Sequence, residues 1–63
     1  LGMPERIALD LMHAGENEEQ RSQPALAREF YERALQVSVA GNLPQLTQAL
    51  RIRLDKPGQA TPR

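Results

Sequence analysis

The chain contains no cysteine and no tryptophan. Disulfide staples and thiolate metal sites are therefore excluded. A single histidine, His13, rules out a multi-histidine centre as well. Aromatic side chains are almost missing: Phe30 and Tyr31 are the two among 63 residues. No stretch approaches the roughly 18 apolar residues that a bilayer span needs. The pattern of a basic segment followed by an apolar one, as in a secretory leader, is not visible either. The expected location is the cytoplasm, and the expected natural start is Met3, with Leu1-Gly2 read as a cloning remnant. Eight basic and eight acidic residues cancel, so no net charge draws the chain toward nucleic acid or an anionic membrane.

What remains must hold itself together by packing. Below roughly 70–80 residues a single core seldom supplies more than about 3–5 kcal/mol without a staple. With disulfides and metals excluded, the remaining means are well-packed helices, self-association or a partner chain. The apolar content is 40%, but much of it is alanine, which fills little volume. The expected core is Ile7, Leu11, Met12, Leu26, Phe30, Tyr31, Leu35, Val37, Leu46 and Leu50. That is thin, and it argues for a partner.

Three prolines, Pro4, Pro24 and Pro44, stand at even intervals of 20 residues. Each suits the first turn of a helix, where the missing N–H has no partner to lose. After Pro4, the residues Ile7, Ala8, Leu11, Met12 and Ala14 recur at spacings of three and four. Gly15 is the expected stop, which predicts a first helix over about 4–14. Residues 16–22 read as either an acidic loop or further solvated helix. After Pro24, Leu26, Ala27, Phe30, Tyr31, Ala34, Leu35 and Val37 form a broad apolar face, predicting a helix over 24–40 that Gly41-Asn42 terminates. Opposite it, Arg28–Glu32 and Glu29–Arg33 are i,i+4 pairs of opposite charge. Asn42 or Leu43 caps a third helix over 44–54, with Leu46, Ala49, Leu50 and Arg53 on one face. The segments that follow the prolines do not align as a repeat. The fold class is therefore all-α: a single domain over 1–54 made of an antiparallel hairpin of two helices with a third packed across it, and a flexible tail over 55–63.

Catalytic motifs are not present. His13 has no cysteine or serine nearby to activate, and its bland role is a solvated side chain. Glu16, Glu18 and Glu19 lack the ligand series and central glycine of a calcium loop. Phosphate loops, nucleophile elbows and HExxH are missing. The expectation is a non-enzyme with no cofactor and no metal. The motif that carries weight is helical. The second helix, a turn containing Gly41, and the third helix have the general shape of a helix-turn-helix. Gln45, Gln48, Arg51, Arg53 and Lys56 would then be the nucleic-acid contacts. Zero net charge ranks this second. The favoured reading is a protein–protein interaction module, working as a homo-oligomer or with a protein partner. Its expected contacts are Leu26, Phe30, Tyr31, Leu35, Leu46 and Leu50. Phe30 and Tyr31 are the expected hot spots, because large aromatics concentrate binding energy; internal core is the competing role for both.

Ala27, Tyr31 and Ala34 follow the A-x3-F/Y-x2-A spacing of a tetratricopeptide repeat's second helix, and Gly15 lies where its first helix carries glycine. Over roughly residues 11–37 the chain resembles one such repeat. It departs at Glu18, where an aromatic is expected, and at Val39, where the terminal proline would stand. The microtubule-interacting-and-transport three-helix domain is similar for the same reason. Either resemblance implies docking of a peptide or helix in a groove.

Overall fold

A computed structural model of the chain describes residues 3–55. Three helices follow one another: α1 (Met3–Gln20), α2 (Pro24–Ala40) and α3 (Pro44–Asp55). The all-α expectation holds, and α2 has the bounds read from the sequence. Helix α1 differs: it runs through Gly15 and on to Gln20. Of the tail expected over 55–63, Asp55 is instead the last residue of α3, and residues 56–63 lie outside the described residues.

Gly15 does not stop α1 because its role lies elsewhere. A Cβ placed there would sit 2.6 Å from Tyr31 Cε1 and 2.8 Å from Cδ1. The missing side chain is what lets the Tyr31 ring lie against the α1 backbone. Ala8, Ala27 and Ala34 are buried beside it. Small residues along both helices allow a close approach of the axes, whose separation is set by the side chains at the contact.

The real stops are Ser22 and Asn42, with φ of 61° and 58°. Both turns close in the same way. The Ser22 N–H donates to Glu19 O and the Gln23 N–H to Glu18 O, at 3.0 and 2.8 Å. Twenty residues later the Asn42 N–H donates to Val39 O and the Leu43 N–H to Ser38 O, at 3.0 and 2.8 Å. This is the Schellman arrangement, in which a left-handed residue satisfies the last carbonyls of the helix. Proline follows two residues later in both. The even proline spacing is thus one turn used twice. Gly41, with φ of −87°, is not the left-handed residue. Its bare Cα instead leaves room for Pro4, whose Cβ would lie 2.8 Å from a side chain there.

The core is as thin as expected but differently populated. Its buried hydrophobic residues are Ala8, Ala27, Tyr31, Ala34 and Leu50. Leu11, Met12, Leu35, Leu46 and Leu54 pack around it, partly buried. Only Tyr31 and Leu50 are large, each worth about 1.5–3 kcal/mol on burial. Ile7 and Leu26, expected inside, are 46% and 42% exposed.

Candidate functional site

Which side of the α1–α2 hairpin is open depends on where α3 lies. Three contacts fix it. Arg53 Nη2 meets Glu16 Oε2 at 2.8 Å, joining α3 to α1. The Arg53 guanidinium lies over the Tyr31 ring, 5.8 Å from its centroid, within cation–π range. Ser38 Oγ and Thr47 Oγ1 are 2.8 Å apart. The Ser38 hydroxyl also donates to Leu35 O at 2.9 Å, so its single proton is committed and Thr47 is the donor between the two. Ser38 is fully buried.

These contacts place α3 on one flank of the hairpin. On α1, Met12 and Glu16 turn from the buried Ala8–Gly15 line toward α3. At about 100° per residue, Met3, Ile7 and Ala14 turn the other way. On α2, Tyr31 and Leu35 turn toward α3, and Leu26, Phe30 and Val37 turn away. The two outward stripes lie side by side and form one apolar face along the hairpin. Met3 and Ile7 are 67% and 46% exposed and Leu26 is 42% exposed; Ala14, Phe30 and Val37 are half-buried. Glu18, four residues after Ala14, and Glu29, three after Leu26, border this face, and two further charges stand at its edges. Asp10 follows Ile7 by three residues and Arg33 follows Phe30 by three; both are exposed. Neither is in an ion pair among the described residues, where the pairs are Arg21–Glu18, Arg28–Glu32 and Arg53–Glu16. The expected Glu29–Arg33 pair is therefore not formed.

The six residues expected to bind a partner divide. Leu26 and Phe30 lie on the open face. Tyr31 and Leu50 do not: both are core, at 2% and 0% exposure. Leu35 on α2 and Leu46 on α3 pack at the fringe of that core. Ile7, Ala14 and Val37 share the open face with Leu26 and Phe30 and are not among those six. The signal was present in α1, where Ile7, Ala8, Leu11, Met12 and Ala14 span an arc too broad for a single neighbour.

The nucleic-acid candidates divide too. Gln45, Gln48 and Arg51 are exposed on the outer side of α3. Arg53 is engaged by Glu16 and Tyr31, and Lys56 lies outside the described residues. Ile52, 60% exposed, and Asp55 share that outer side. A shallow hollow at the α2–α3 corner is lined by Val39, Leu43, Pro44, Thr47 and Arg51 among others.

Among the described residues, Tyr31 titrates above its ordinary range. Its hydroxyl is buried and makes no well-formed hydrogen bond. Burial pushes it above its ordinary 10.0, and the nearby Glu19 carboxylate adds to the rise while Arg53 opposes it. Among the described residues, no three of His, Cys, Asp and Glu gather to hold a metal ion, and no helix is long and apolar enough to cross a membrane. Compared with protein-family models, with curated proteins and with solved structures, the chain matches none.

Proposed function

We propose that the chain is a small helical protein–protein interaction module, in the manner of an adaptor, chaperone subunit or regulator. The observation that carries this reading is the continuous apolar face of α1 and α2 on the side away from α3. Leu26 and Ile7 would otherwise be solvated at a cost of roughly 25 cal/mol for each Å² of apolar surface left in water. A contiguous apolar face rimmed by polar residues is how interaction sites are built. The tetratricopeptide resemblance points the same way, as a second part of the proposal. Gly15, Tyr31, Ala27 and Ala34, which carry that resemblance, are packed together, and a lone repeat leaves a face for a neighbour. Glu18 and Val39 remain the departures; Glu18 pairs with Arg21 at 3.5 Å.

The test is a titration of the isotope-labelled chain with a designed amphipathic helix bearing a leucine face, followed by amide chemical shifts. Shifts concentrated at Ile7, Ala14, Leu26, Phe30 and Val37 are expected. Saturating peptide with no shifts, or shifts confined to the outer side of α3, overturns the reading. Random duplex DNA at low salt serves as the contrasting ligand. Binding that falls steeply as salt rises would favour the nucleic-acid alternative instead.

A further inference from the structure

We infer that the partner on the open hairpin face is a second copy of this chain, docked about a two-fold axis that runs along the helices. This rests on the interaction-module reading and adds the identity of the partner. In such a dimer α1 of each copy lies antiparallel on α2 of the other, and the contact is isologous.

Three features favour that occupant. The first is register. Within the chain, Gly15 sits against Tyr31 and Gly41 against Pro4, which fixes the relative heights of the two helices. A two-fold axis along the helices preserves those heights. It brings Ala14 of one copy level with Phe30 of the other, and Ile7 level with Val37. The largest side chain of one stripe thus meets the smallest of the other, as interdigitation requires.

The second is charge. Arg33 lies close to the apolar stripe of α2, and Asp10 edges the stripe of α1. Each is without an ion-pair partner among the described residues. The same axis brings Asp10 of one copy within about one helical turn of Arg33 of the other, and it does so twice. A charge approaching a buried face needs an opposite charge to meet it. Asp10 and Arg33 therefore give the face a complementary pair toward a copy of itself.

The third is the thin core. The buried hydrophobic residues of the single chain are three alanines with Tyr31 and Leu50, and chains of this size commonly draw further stability from oligomerisation.

The test is the solution mass of the full chain across a dilution series, from low to high micromolar. The mass is expected to rise from that of one chain to that of two. Ile7→Glu, at a position half exposed in the single chain, should hold the mass at one chain while circular dichroism keeps its helical signal. The decisive arm uses two charge reversals. Asp10→Arg and Arg33→Asp each set like charges opposite one another in a homodimer, and each should weaken association by about tenfold or more. Mixed in equal amounts, the two variants restore both pairs and should recover the dimer. A chain that stays single at every concentration overturns the inference. So does a dimer indifferent to Ile7→Glu, or a mixture that fails to recover. If the chain stays single yet the designed helix still perturbs the open face, the second copy is refuted and the interaction module stands. If neither binds, both fall.

Discussion

At Gly15, one hydrogen atom in place of a methyl group decides how closely α1 and α2 approach. Glycine inside a helix costs about 1 kcal/mol relative to alanine, so an exposed Gly15 would be improved by Gly15→Ala. Here a Cβ would lie 2.6 Å from the Tyr31 ring, and that ring is enclosed. Overpacking of this kind costs about 1–3 kcal/mol, which exceeds the propensity gain. Gly15→Ala is therefore expected to lower the melting temperature, and a thermal melt showing a rise would refute the close-approach role. Tyr31 itself makes a prediction in pH. In the unfolded chain its hydroxyl ionises near 10.0, whereas in the fold burial and Glu19 hold the proton to higher pH. The folded state thus binds the proton more tightly, so this contribution is complete below pH 10 and is lost as pH rises through the folded value. Melting temperature should be insensitive to this group at neutral pH and fall above pH 10. The tyrosinate ultraviolet band of the folded chain should likewise appear later than in urea. Replacement Tyr31→Phe should remove the alkaline fall.

The elements show which signals were legible and which were not. Proline marks the start of a helix by its own chemistry, so the starts near 4, 24 and 44 and the whole of α2 could be read directly. Helix ends were harder. Gly15 and Gly41 both look like terminators, yet each is needed for space, against Tyr31 and Pro4 respectively. The residues that do turn the chain are Ser22 and Asn42, which carry the left-handed φ without being glycine. Asparagine tolerates that region better than serine does. Ser22→Gly should therefore stabilise the chain by about 0.5–1 kcal/mol, and Asn42→Gly by less. In a domain this small that corresponds to a rise of a few degrees for Ser22→Gly; equal or inverted effects in parallel melts would contradict the turn geometry. Ser38, a serine late in an apolar helix, reads from the sequence as a weakness. Its meaning depends on Thr47, nine residues on, which supplies the hydrogen bond that makes its burial tolerable. The same limit explains the candidate contacts. Periodicity identifies apolar stripes, but it does not say which stripe α3 covers. Tyr31 and Leu50 went to the core and Ile7 came to the surface for that reason.

At the scale of the whole molecule, the core and the open face are two sides of one shortage. With Tyr31 and Leu50 as the large buried side chains, the single chain buries little, and Ile7, Leu26 and Phe30 contribute less than they would if covered. In the inferred dimer a second copy would cover them, and folding and association would then be linked. Anything that binds the native state and not the unfolded one raises stability in proportion to the logarithm of its concentration. In the inferred dimer that binder would be the chain itself, and its thermal stability would depend on how much of it is present. The melting temperature is expected to climb by about a few degrees for each tenfold increase in concentration. The Ile7→Glu chain should melt lower and at one temperature throughout, because its folded form gains nothing from a neighbour. A wild-type melting temperature that stays constant from low to high micromolar would mean that the core of the single chain is sufficient by itself, and that the open face is not where the missing stability comes from.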